Sequence, residues 1–213
     1  LRRVRELVED RGLRALAGAV LVASLFIGVV VVHQGRQPFE CVAIDASAGH
    51  AAMGRPDGRP CGSVEACYIA PPEPQSLYRC EQVGWFGLTS VGGGRVRYTG
   101  VLHDPNEVAL AVCVAFPLAL AFFRQRRTPA NLSLLLFTLG IASMATIYSK
   151  SRGGLLVLLA CLGTLFVERF GVKRGVIVGA LLGAPLTLLG GRSGESASAS
   201  TFERLECWYS GIQ

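Results

Sequence analysis

LRALAGAVLVASLFIGVVVV, residues 13–32, carries a single charge, Arg14, at its second position. A bilayer core is about 30 Å thick, and at 1.5 Å per residue a helix crosses it in roughly 20 residues. The stretch reads as a transmembrane helix, and that reading decides the rest. Of the 213 residues, 51% are hydrophobic and 17% charged, with a positive mean hydropathy. That balance is too apolar for a soluble domain of this size. Apolar residues cluster again over 108–123, 132–149, 155–167 and 176–189, the last two being short. The expected fold class is all-α: a polytopic transmembrane helical bundle of about five spans, with a disulfide-capable extracytoplasmic loop.

Arg2, Arg3, Arg5, Arg11 and Arg14 flank the first apolar run, as in a secretory signal. A signal's apolar region is roughly 7 to 15 residues long and leads to a small-x-small cleavage site. This run is longer, and VVVVHQGRQP at 29–38 offers no such site, so we read a retained helix. Orientation follows from the basic residues, which are enriched in short cytoplasmic loops. With the N-terminus inside, segments 1–14, 124–130 and 168–175 hold eleven Lys and Arg in 29 positions, against ten in the 102 positions of the outer segments. The net charge of +6 is then a signal of membrane orientation and gives no reason to invoke nucleic acid. The expected location is the inner (cell) membrane. Three parts follow: a cytoplasmic N-terminus with the first span (1–32), a Cys-rich periplasmic loop (33–105), and a membrane domain (106–213) expected to be truncated.

Cys41, Cys61, Cys67 and Cys80 fall in the first outer loop, where the medium is oxidising. They can form two disulfides in any of three pairings. None has the CxxC spacing that suits a structural zinc, so no metal is expected. Cys113 and Cys161 lie in apolar helices and read as packing residues, and Cys207 is left over outside. The loop is rich in turn signals such as GRPDGRPCG (54–62) and APPEPQ (70–75). Trp85, Phe86 and Val91 near its end suit a membrane surface. Gly171, Gly175, Gly179 and Gly183 recur every four residues, a ridge for close helix approach in the fifth span, where Pro185 introduces a kink.

Chemistry is expected at the outer helix ends, where three polar stretches lie: RYTGVLHDPNE (97–107), SKSRGG (149–154) and TFERLECWYSGIQ (201–213). In the first, Asp104 suits a helix cap, Pro105 a first turn, and Asn106 and Glu107 the positive end of the helix dipole. By itself this is capping. In the second, a guanidinium at Arg152 can fork onto a phosphate while Gly153 and Gly154 leave backbone open beside it. Its alternative is a surface arginine snorkelling to the interface. In the third, Arg204 and Trp208 would share a helix face.

In order and spacing these motifs resemble those of the O-antigen ligase and polymerase superfamily, from about Arg97 to Gln213. GVLHDPNEVAL (100–110) is similar to the family's G-x-x-x-x-P-N-x-x-A helix start, YSKSRGG (148–154) to its T-x-S-R-G-G turn, and FERLECWYSGI (202–212) to its R-x-x-x-W-x-x-G approach. The resemblance implies transfer of a glycan from an undecaprenyl-pyrophosphate donor to an acceptor hydroxyl, on the lipid A core for ligases or on another glycan for polymerases. It implies that Arg152 and Arg204 hold the donor's pyrophosphate, which suits permanently charged, fork-shaped donors. Pyrophosphate leaves readily, so neither a nucleotide nor an obligatory metal cofactor is expected. The partners expected are the donor, the acceptor and membrane lipids.

A base for the acceptor's proton is still needed. The family's candidate is a histidine in a later outer loop, beyond Gln213, so the catalytic residue is left unassigned. His103, outside near the second span, is a minor candidate because family members often carry another residue there, and His33 and His50 read as boundary and loop residues. The chain is expected to be an inactive N-terminal and central fragment. A non-enzymatic polysaccharide transporter subunit is the reading from another class. It would use charges near the midplane, which these spans largely lack, and has no use for paired outer arginines. A simple anchor for the loop needs one span rather than five.

Overall fold

The computed structural model describes residues 11–44, 54–73, 75–91, 94–96, 102, 104–175, 177, 178, 181 and 209. Helix α1 runs Arg11–Gly35, α2 Pro105–Cys113, α3 Ala115–Gln125, α4 Pro129–Ser149 and α5 Arg152–Phe170. Helices α2 and α3 form one interrupted span. Pro117 lacks the N–H that would bond the carbonyl of Cys113, and the break falls beside it at Val114. Four helical segments, Arg11–Gly35, Pro105–Gln125, Pro129–Ser149 and Arg152–Phe170, are long and apolar enough to cross a membrane. The fifth expected span and Pro185 lie largely outside the described residues. Gly171, expected on its glycine ridge, instead ends α5 with φ +89°, a conformation that favours glycine. Gly175 is tightly packed, since a Cβ there would lie 2.2 Å from Val167 Cγ2.

Small residues lie at many of the helix contacts, beside Val30, Val31, Val108, Val112 and Phe116, and many large apolar residues are exposed. Gly28, Ala109, Ala115, Ala119, Ala142, Ala145 and Gly154 sit at contacts between helices, while Leu16 (61% exposed), Val22 (67%), Leu136 (60%) and Ile147 (64%) face outward. In water this arrangement would forfeit the transfer free energy of every outward side chain, roughly 25 cal/mol per Å². In lipid it is the expected one, because association there depends on close backbone approach. Buried hydroxyls turn back on their own helices: Thr138 donates to the Leu134 carbonyl at 2.7 Å and Thr146 to that of Ala142 at 2.8 Å. An unbonded hydroxyl would be costly in such a setting. Helix α4 is central and packs against the other four helices.

The all-α expectation is corrected between α1 and α2, where a three-stranded antiparallel sheet forms in the order β2-β1-β3 from β1 (Phe39–Ile44), β2 (Arg55–Pro60) and β3 (Leu77–Gln82). β2 contains Pro56 and Pro60, which cannot donate to a ladder, and it accordingly lies at an edge. The sheet is tied to α1: Gln82 Nε2 donates to the Gly35 carbonyl at 3.1 Å and to that of Gln37 at 2.8 Å. These bonds satisfy carbonyls left open at and just past the helix end.

Candidate functional site

α1 ends beside the sheet, and Gly35 lies against the Tyr148 ring near the end of α4. The chain direction therefore brings the C-terminus of α4 and the N-termini of α2 and α5 to this same end. Asp104 caps α2 by accepting from Asn106 N–H at 2.7 Å, and Pro105 occupies the first turn, buried. This is the capping expected from the sequence. Asp104 and Glu107 are exposed and Asn106 is half-buried.

Helix α4 stops at Lys150, whose φ of +48° turns the chain sharply. Ser151 then caps α5, its Oγ accepting from Gly154 N–H at 3.0 Å. Arg152 is the first residue of α5, and its side chain is exposed. A cation there sits at the positive end of the helix dipole, an unfavourable placement worth a few tenths of a kcal/mol. An anion docking at the same point would meet both the dipole and the guanidinium.

The two glycines expected to leave space beside Arg152 do different things. A Cβ on Gly153 would meet only Ser151 Oγ, at 3.8 Å, so its backbone is open. A Cβ on Gly154 would lie 2.6 Å from Ala109 Cβ, so Gly154 is a packing residue that brings α5 onto α2. Cys113, buried as expected, sits in this contact within 3.7 Å of the Gly154 carbonyl and 3.8 Å of Thr146 Oγ1. Cys161 is half-buried on α5.

Arg95 was not singled out from the sequence. It is 7% exposed, and its Nε donates to the Ser149 carbonyl at 3.2 Å, while Val96 N–H donates to that of Tyr148 at 3.3 Å. A cation at the negative end of α4 satisfies an open carbonyl and complements the dipole. It pins the segment before α2 to the turn that carries Arg152. The signal was GGGRVRY (92–98), a basic pair in a glycine-rich run, but the partner lies 54 residues away. Arg204, His103, His50, Cys207 and Trp208 lie outside the described residues, as do Arg97 and most of the third motif.

The cysteines pair as Cys41–Cys67 and Cys61–Cys80. Cys41 and Cys80 face each other across β1 and β3, yet each bonds elsewhere. The sulfurs of Cys41, Cys61 and Cys67 lie within 4.8 Å of one another, but as disulfides they offer no thiolate to a metal. Arg59 clamps the module. It donates to Asp57 through Nε at 2.8 Å and Nη2 at 2.6 Å and to the carbonyls of Cys67 and Ile69, and it lies 5.4 Å from the centre of the Tyr78 ring. Burial pushes the Asp57 carboxyl upward, but the hydrogen bonds and charge of Arg59 outweigh it and hold the group below its ordinary value. His33 stacks on Trp85 at 4.0 Å and lies 3.2 Å from the Gln37 side chain, a boundary residue as expected. Phe86, next to Trp85, is 75% exposed.

Comparison with family models, with curated proteins and with solved structures finds no match.

Proposed function

We propose that this chain is the membrane-embedded part of a glycosyltransferase of the O-antigen ligase type, working on the extracytoplasmic face of the inner membrane. The supporting observation is the meeting of two motifs at one bundle end. The DPN start of α2 and the SRGG start of α5 are drawn together by Gly154 against Ala109, with Arg152 exposed beside an open glycine. In the reaction the acceptor hydroxyl attacks the sugar carbon that bears the pyrophosphate. The bond from that carbon to the phosphate oxygen breaks, and the lipid pyrophosphate leaves with the electron pair. Arg152 and the α5 amides meet the charge that develops on it. Arg204 is the second cation of this clamp, and the acceptor's proton goes to a base still to be assigned.

Orientation draws support from two features. Arg11, Arg14, Arg124, Arg126, Arg127, Arg169, Lys173 and Arg174 flank helix ends away from the sheet, as cytoplasmic loops favour. The disulfides lie at the sheet end, as a periplasmic face favours.

The test is complementation by the full-length gene of strains lacking either a surface-glycan ligase or a glycan polymerase. Wild type should restore glycan transfer in one strain, which identifies the acceptor class. Arg152→Ala and Arg204→Ala at matched expression should each lower transfer roughly 100-fold, the scale for removing a donor from developing charge. Lysine at either position should recover only part, because a point charge does not fork. Undiminished transfer by both alanine variants would sink the clamp.

A further inference from the structure

We propose that the four cysteines of the sheet module form a thiol–disulfide exchange centre, in which the Cys61–Cys80 bond takes electrons from an external dithiol and Cys61 passes them to the Cys41–Cys67 bond. Two observations carry it. The Cys61 sulfur lies within 4.8 Å of those of both Cys41 and Cys67, so one end of the first disulfide stands beside both ends of the second. The two bonds also differ in access. Cys41 and Cys67 are 1% and 0% exposed, whereas Cys61 and Cys80 are half-buried. Exchange needs a thiolate to reach a sulfur, so a dithiol in solution meets the Cys61–Cys80 bond first.

The electrons then have a path inward. A thiolate of the dithiol attacks the Cys80 sulfur, the Cys61–Cys80 bond breaks, and Cys61 leaves with the electron pair. The second thiol of the dithiol displaces Cys80 from the mixed disulfide, so the dithiol ends oxidised and the module holds thiols at Cys61 and Cys80. As a thiolate, Cys61 attacks Cys67; a Cys61–Cys67 bond forms, the Cys41–Cys67 bond breaks, and Cys41 takes up the proton that Cys61 gave up.

The backbone already suits the product. The two thiols now present, Cys41 and Cys80, are direct partners in the β1–β3 register. Opposed antiparallel residues stand about 4.5–5.5 Å apart at Cα, within the roughly 4.4–6.8 Å that a disulfide spans. Returning the two electrons to an oxidised dithiol would close a Cys41–Cys80 bond. The original pairing ties Cys61, just past edge strand β2, to β3 across β1. The exchanged pairing removes that tie and closes Cys61 onto Cys67 within one connection. Arg152 plays no part, so the exchange is independent of glycan transfer.

The experiment treats the purified full chain in detergent with dithiothreitol, quenches it with acid at successive times and alkylates it before neutralisation. Cleavage after arginine and glutamate maps each label, because Glu65 separates Cys61 from Cys67. Cys80 should label early. A partly reduced species should follow in which Cys61 is bonded to Cys67 or Cys41 and the displaced cysteine is labelled. Its rate should not depend on protein concentration, and the helical signal should be unchanged. Cys80→Ser leaves Cys61 as a lone thiol beside the second bond, and part of its label should move to Cys41 or Cys67. Partly reduced wild type that holds only its original bonds would overturn the proposal, as would labelling of Cys41 and Cys67 ahead of Cys80. Label confined to Cys61 in a Cys80→Ser chain of unchanged helical signal would overturn it too; the wild-type measurement decides alone if that variant does not fold.

Discussion

In the bundle, alanines, glycines and valines fill the helix contacts, and many large apolar side chains face outward. In the sheet module the residues that hold the structure are two disulfides and an arginine clamp around a core as slight as Cys41, Cys67 and Tyr78. The contrast reflects solvent. In lipid the backbone must satisfy itself and helices need only approach closely. A module of this size in water buries too little apolar surface to offset its chain entropy, so covalent links supply what the core cannot.

The largest test of that contrast is to remove the links. The disulfides span sequence separations of 26 and 19 residues, and each constrains the unfolded chain by about 3 kcal/mol. Replacing Cys41 and Cys61 by serine should open the module to proteolysis while leaving the bundle's far-ultraviolet helical signal intact. Joint loss of both would show that the contacts of Gln82 and Trp85 with the end of α1 make the regions one cooperative unit.

The reciprocal test strikes the bundle. Gly154→Leu drives a side chain into Ala109 and should cost about 1–3 kcal/mol, read as a lower melting temperature in detergent with the disulfides still formed. Gly153→Leu, into open space, should be close to neutral. A similar cost for both would mean that the α2–α5 contact does not set the effect, since helix propensity favours leucine over glycine at either position.

Four spans were legible because hydropathy and length act locally, and the start of the second was marked by Asp104–Pro105. The module was not. Three pairings of four cysteines are equivalent without the fold. RPDGRP also reads as a turn, because its prolines and glycine disfavour a strand that only an edge position allows. At the candidate site the cap was legible from Asp104 and Pro105 alone. The division of labour between Gly153 and Gly154 was not, since it depends on Ala109 on another helix, and neither was Arg95, whose partner is a distant carbonyl.

Asp57 and Arg59 offer a smaller test, confined to the module. The folded carboxyl is held below its ordinary value, so its contribution is present above the unfolded value and fades as pH falls through the folded one. Wild-type module stability should thus decline on acidification below about pH 4, the unfolded carboxylate value. Asp57→Asn should lower stability at pH 7 by about 1 kcal/mol, a hydrogen-bond-sized loss, and flatten that decline. An unchanged acid profile would move the acid sensitivity to other carboxylates. Protease susceptibility measured across pH separates these outcomes.

The smallest net effect is expected where the two solvents meet. Phe86 carries φ +62° and is 75% exposed, beside Trp85 stacked over His33 at the end of α1. A left-handed phenylalanine costs about 1 kcal/mol that glycine would not, and its exposure in water would add to the cost. Both are offset when the ring sits at the membrane interface, where aromatic side chains are favoured. Phe86→Gly should therefore change module stability by less than about 0.5 kcal/mol in vesicles, strain relief cancelling lost lipid contact. With Trp208 replaced by phenylalanine, Trp85 is the chain's remaining tryptophan. Brominated lipid should quench its fluorescence strongly in the Phe86 protein and weakly in the glycine variant. Weak quenching in both would lift this corner of the module out of the membrane and make its strain a property of the turn alone.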